Sequence, residues 1–232
     1  MSGRERLLAW LIAVLILLVA MSVSPLLLAR PTAVRWIAIA THTWSPSAGG
    51  ADRESVLRRA ETVRQAIDPL RPAGRYPARW SKTARDIWTR LHAAGFGDDE
   101  LSHLRDVRGV FGLALWLTAA SAALAAVLAA FGGVKDRRHL AFGAATRALI
   151  LGGTAAAVLL ATGALAFEPL FGAFHALFFR EGTWTFPMDS WLIRTFPERF
   201  WAIAAAGWAG MTIGWLGLAW LGAFLVDRRR LR

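Results

Sequence analysis

Residues 110–131 read VFGLALWLTAASAALAAVLAAF, an unbroken run of apolar and small side chains with no charge. A helix needs about 20 such residues to cross a hydrocarbon core of roughly 30 Å. Unpaired backbone amides cannot be left in lipid, so a lone spanning segment of this kind is a helix and not a strand. The same pattern recurs at residues 7–29, 148–170 and 201–226, free of charge apart from Glu168 near the end of the third. The expected fold is therefore an all-α membrane protein. It is a single membrane domain over 1–232, a four-transmembrane-helix bundle with a small helical extracytoplasmic segment. The composition agrees, with 56% hydrophobic residues and 12 Trp and 13 Phe against a single Tyr.

Arg4 and Arg6 followed by an apolar run resemble the start of a signal peptide. The run continues to Ala29, however, and no small-residue cleavage site precedes Arg30 and Pro31, so a retained span is expected. Orientation follows from the basic residues. Arg4 and Arg6, then Lys135, Arg137, Arg138 and Arg147, then Arg228, Arg229, Arg230 and Arg232 all fall on one side of four spans. The positive-inside rule makes that side cytoplasmic, with both termini. Long loops translocate largely regardless of charge, so the Arg-rich segment 30–106 does not overturn the assignment. The formal net charge of +11 reflects topology, and no basic run matches a nucleic-acid-binding motif. The chain has no Cys. That excludes a thiol nucleophile, a disulfide and a Cys-based metal site, and the chain cannot itself be a lipoprotein.

Two segments are expected outside. In 30–106, Asp52 can cap a helix with Val56, Leu57, Ala60, Val63 and Ile67 on its apolar stripe, ended by Asp68-Pro69. Residues 71–74 (RPAG) are a loop by their punctuation. Ser81 can cap a second helix with Ile87, Trp88 and Leu91 on one face, stopped at Gly95. Asp98 opens a third that runs into the 110–131 span, with Asp99 and Glu100 at its positive end. The second segment, 171–200, is dense in Phe and Trp, as suits headgroup depth.

Five His carry the candidate chemistry. His139 sits among cytoplasmic Arg and Lys, and His42 and His92 have no useful neighbours; all three read as solvated. His103 has Glu100 and Asp106 three residues away on either side, hence on one helix face. A carboxylate can hold one imidazole nitrogen and leave the other as a base. His175 lies in the aromatic segment, with Glu168 seven residues back. Both His fall near the outer surface, where they can meet.

Two strings carry more than a generic pattern. One is Glu100-Leu-Ser-His103-Leu-Arg-Asp106-Val107. The other runs from Phe174-His175 through Phe178-Phe179, Trp184 and Phe186 to Leu192-Ile193 and Pro197-Glu198-Arg-Phe200. Together they resemble the E-x-x-H-x-x-D-V and F-H-x-x-F-F…W-x-F…L-I…P-E-x-F motifs of the lipoprotein intramolecular transacylase (Lit) family. Span count, loop lengths and order resemble it over the whole chain. Trp201 departs from a commoner Phe, and the segment between Arg30 and Gly97 matches loosely.

The resemblance implies an acyltransferase at the outer face of a bacterial plasma membrane. Its partner would be a diacylglyceryl-modified lipoprotein, whose sn-2 acyl chain moves to the amine of its own N-terminal Cys. It implies His103 and His175 as the catalytic pair, with Glu100 and Asp106 in support. Phe174, Phe178, Phe179, Trp184, Phe186 and Arg194 would contact substrate and membrane lipids, and neither cofactor nor nucleic acid is implied. Aminolysis of an ester needs a base for the amine proton and a donor for the leaving oxygen, which two imidazoles can supply. The alternative is a non-enzymatic assembly or channel-like membrane protein, though pore-lining helices would carry more polar residues than these spans do. A metal held by His103, His175 and a carboxylate is chemically possible, but its ligands lack the usual close spacing.

Overall fold

A computed structural model describes residues 2–41, 53–70, 81–131 and 137–228, the side chains of 81–86 excepted. The readings at His42, Asp52, residues 71–74, the Ser81 side chain, Lys135, Arg229, Arg230 and Arg232 lie outside what it describes. The described residues form helices α1 (Gly3–Leu28), α2 (Pro31–Ala40), α3 (Arg53–Ile67), α4 (Ser81–Ala93), α5 (Asp98–Phe131), α6 (Arg137–Leu165), α7 (Phe167–Phe178), α8 (Trp191–Thr195) and α9 (Glu198–Arg228), and no strand. Four of them, α1, α5, α6 and α9, are long and apolar enough to span a bilayer. This is the all-α, four-span membrane fold that the apolar runs dictate.

The chain divides into two compact units. The first comprises Met1–Pro25, Ala114–Leu165 and Ala206–Arg232, the greater part of the four spans. Its core is built on Ala9, Ile12, Ala13, Ala20, Leu140, Ala144, Ala148 and Leu216. Small residues let helices approach in lipid, where dispersion rather than the hydrophobic effect holds them together. At Gly152 a Cβ would collide with the Leu216 side chain and come within 2.9 Å of Leu17. Pro25 stands inside α1 and cannot donate to the carbonyl four residues back, at Met21. The indole Nε1–H of Trp208 donates to that carbonyl at 2.8 Å, so the orphaned acceptor is satisfied.

The second unit, Leu26–Leu113 and Ala166–Ala205, holds the candidate chemistry. Ile37 and Ala38 of α2, Ala60 and Val63 of α3, Leu91 of α4, Leu101 and Leu104 of α5, and Leu192, Phe196 and Phe200 share its core. The stripe read on α3 faces inward, with Leu57 and Ile67 packed at its edge. Arg108 of α5 donates to the carbonyls of Ala66 (3.0 Å), Asp68 and Pro69 at the α3 C-terminus, where a cation complements the helix dipole. The end of α4 is a Schellman turn: Gly95, at φ +96°, donates to His92 and Phe96 donates to Leu91.

Two details differ from the sequence pattern. α2, with Pro31 at its first position, has no counterpart in it. The third apolar run does not continue as one helix to residue 170. α6 ends at Leu165, and α7 begins at Phe167 after a non-helical Ala166. Pro169 is the reason, because in a continuous helix it would remove the bond to the Leu165 carbonyl and clash with it. In the first turn of a new helix that missing N–H costs nothing.

Candidate active site

α5 and α7 each deliver one imidazole, and both rings are buried. His103 is 6% exposed, on the turns of α5 that precede the apolar run starting at Val110; His175 is 8% exposed, on the last turn of α7. Their ring centroids are 6.2 Å apart and the planes differ by 25°. The structure thus brings the two motif histidines together.

Aromatic rings form the walls. Phe179 touches both imidazoles, at 4.8 Å from His103 and 5.5 Å from His175. Phe186 lies 5.5 Å from His103, while Trp184 (4.8 Å) and Phe174 (5.6 Å) lie against His175. Phe178 packs on Phe174. Phe171, not singled out by the sequence, makes the closest ring contact with His175, 4.0 Å between centroids. Its carbonyl also receives a hydrogen bond from His175 Nδ1 at 2.8 Å. A carbonyl only accepts, so Nδ1 carries the proton and the Nε2 lone pair of the neutral ring is left for chemistry. No pattern in the sequence exposes this bond unless α7 is known to be a helix, since it runs from residue i to i−4.

Burial sets the protonation state. It lowers the His103 pKa to about 4, with the neighbouring His175 adding to the effect and Asp106 opposing it. Burial also pushes His175 below the ordinary imidazole value, against the opposing bond to Phe171. Both rings are neutral at physiological pH, the form in which a base works.

The carboxylates are placed differently from the simplest expectation. Glu100 does not hold His103, whose buried Nδ1 has no hydrogen-bond partner among the described residues. The Glu100 carboxylate instead accepts from the backbone N–H of Gly97 at 2.7 Å and of Leu192 at 2.6 Å. The first bond is one half of a capping box at the start of α5, made by Glu100 and not Asp98. The second caps α8, beside Ser190, which accepts from Ile193. Asp106 is exposed, one turn beyond His103, and lines a groove of about 540 Å³. Val110 and Leu113 of α5 and Leu177, Phe178 and Phe179 supply its apolar lining, with Arg180 at its rim. Arg194 sits with its guanidinium 4.2 Å from the Trp191 ring centroid, and Arg59 lies over the same ring at 3.8 Å.

The family model for lipoprotein intramolecular transacylase Lit matches residues 85–201, half of the chain and both histidine strings. The chain belongs to this Lit family. It is accordingly a multi-pass membrane acyltransferase that acts on a lipoprotein. Among solved structures it is similar to the membrane-integral Lit from Bacillus cereus, with a TM-score of 0.78 at 17% identity over 100% of both chains. Two variants of that Bacillus cereus Lit, each with one His replaced, match at TM-scores of 0.73 and 0.72 and 16% identity. They cover 98% of this chain, and 94% and 96% of their own. At such identity the likeness speaks for the fold. No curated protein sequence matches. The Lit match covers all of α5, α6, α7 and α8, and so includes the elements that build the imidazole pair.

Proposed function

We propose that His175 is the general base of the acyl transfer and that His103 orients the attacking amine beside it. The observation that carries this is the His175 Nδ1–H bond to the Phe171 carbonyl, which leaves Nε2 basic 6.2 Å (between ring centroids) from a second neutral imidazole. The substrate is a lipoprotein with a diacylglyceryl thioether on its N-terminal Cys, and its sn-2 ester and α-amine sit in one molecule. Holding them close supplies much of the acceleration.

The amine nitrogen attacks the ester carbonyl carbon, a C–N bond forms and the carbonyl π pair moves to oxygen. His175 Nε2 takes the proton that the nitrogen sheds, while the unpartnered Nδ1 of His103 accepts a hydrogen bond from its other N–H. Collapse restores the carbonyl, breaks the bond to the glyceryl oxygen, and returns the proton from His175 to that oxygen. An amide and a free glyceryl hydroxyl result. Aromatic walls exclude water, which would otherwise take the acyl group. The groove beside Phe178 and Phe179 takes the acyl chain, Phe174 and Phe186 shape its entrance, and Asp106 and Arg194 serve the polar part of the substrate.

The pH dependence separates the amine from the base. A peptide α-amine titrates near pH 8, so the rate should rise with slope one below that value as ammonium gives up its proton. His103 is lowered to about 4 and burial lowers His175 as well, so both are mainly neutral at pH 6.5 and have their midpoints below it. The slope should therefore stay at one through pH 6.5. A steepening to slope two at that pH, in a profile of rate against pH with saturating lipopeptide, would contradict the assignment.

In this reading the site faces the outside of a bacterial plasma membrane and the N- and C-termini lie in the cytoplasm. The distribution of Arg and Lys around the short loops supports this. A reporter enzyme that works only outside the cell should be inactive after Asp136 and active after Gly182. The reverse pattern would invert the topology.

A further inference from the structure

The rings around the imidazole pair are apolar except one. Phe171, Phe174, Phe179 and Phe186 offer only faces and edges, whereas Trp184 carries an indole N–H, which can donate a hydrogen bond and nothing else. That Nε1 is buried and has no hydrogen-bond partner among the described residues. Buried donors in folded proteins are paired with few exceptions, so an orphan of this kind calls for an acceptor that arrives from elsewhere.

Its position says which. The indole lies 4.8 Å from His175 between centroids, inclined by 32°. Its Cη2 edge rests over Gly172, where a Cβ would stand 3.9 Å away, on the turn of α7 before His175. The ring is firmly carried. Gly182, at φ +80°, turns the chain, and both the backbone N–H (3.1 Å) and Oγ1–H (2.8 Å) of Thr183 donate to the Arg180 carbonyl. The donor is thus held by a fixed turn beside the base, where reorganisation during reaction would be small.

We infer that the Trp184 Nε1–H donates to the carbonyl oxygen of the ester under attack and holds that oxygen once the π pair has moved onto it. This rests on the proposed role of His175 and adds the oxyanion donor that the two imidazoles do not provide. The attacking nitrogen and the carbonyl oxygen are bonded to the same carbon, so an amine beside His175 brings that oxygen close to the same imidazole. A separately held donor next to His175 is placed to meet it.

The test replaces Trp184 in the full-length protein by Phe and by 3-benzothienylalanine, which keeps the bicyclic shape and loses only the N–H. Two ligands are compared in lipid nanodiscs: a dialkyl ether lipopeptide, which has no ester, and a phosphonate lipopeptide, whose charged oxygen imitates the tetrahedral intermediate. Loss of one such donor lowers kcat by about 10²–10³-fold in other enzymes, and a similar drop is expected for both variants. Binding of the phosphonate should weaken strongly while binding of the ether compound stays at the parent value. Parent-level turnover in the benzothienylalanine protein would overturn the inference and leave the role of His175 standing. A parallel loss of rate and of ether-lipopeptide binding would also overturn it, since that is the signature of packing. A parent protein that transfers no acyl chain would remove both readings together.

Discussion

Alanine in place of His175 is expected to lower acyl transfer by about 10²–10⁴-fold, the range that a positioned general base supplies. The protein should still insert and fold, because the ring contributes an aromatic contact surface that Ala vacates without leaving a charge behind. His103→Ala should fall by a similar factor. If the pair acts as a unit, the double variant will be about as slow as either single one, not slower by the product of the two losses. Two His that merely pack together would also be non-additive as neighbours, but their substitutions would act on stability, so a parent-like thermal midpoint in the inactive variants marks a working pair. His139→Ala, on the exposed first turn of α6, is the control and should turn over at the parent rate. The readout is the mass of the lipoprotein N-terminal fragment in a host without other N-acylating activity. Full transfer by either single variant would exclude the role proposed for that histidine.

The parts of this site that were legible in the sequence are those set by local pattern. Four apolar runs announce four helices because lipid allows a lone segment no other backbone arrangement. The spacing of Glu100, His103 and Asp106 announces one helix face, and the resemblance of the two strings to Lit motifs pairs His103 with His175. What the sequence hid depends on contacts across long separations. Leu192, the second partner of Glu100, is 92 residues away, so a carboxylate one turn from a histidine reads as its holder when it is a cap for two helices. The tautomer of His175 hid behind the apolar run, since the bond to Phe171 exists only if residues 167–178 form their own helix. Pro169 carried part of that signal, but proline alone does not decide it, since α1 runs on through Pro25 while the break near Pro169 falls three residues before it, at Ala166.

Glu100 is therefore the residue whose substitution should injure the fold most. Its carboxylate is buried at 6% exposure and satisfies two backbone N–H groups with separate oxygens, Oε2 for Gly97 and Oε1 for Leu192. Ala would leave the Leu192 N–H buried and unpaired, at about 1–3 kcal/mol, while the N–H of the exposed Gly97 can turn to water. A loss of that size is a large fraction of the stability of an ordinary domain. Gln tests the argument more sharply than Ala, because it conserves size and changes only the acceptor count. Its amide presents one oxygen, so whichever N–H keeps a partner, the other faces an NH₂. Glu100→Gln should accordingly lower the thermal midpoint of the purified protein in detergent by several degrees, and Glu100→Ala by more. Both should cost activity, because Glu100 fastens the start of α5, three residues before His103, to the start of α8. The loss would differ in kind from that of the histidines. Adding lipid or lowering the temperature would restore part of the transfer in Glu100→Gln by restoring the fold, whereas His175→Ala would gain nothing. A Glu100→Gln protein that melts with the parent would show that the two amides find other acceptors, and that the join between α5 and α8 does not depend on this carboxylate.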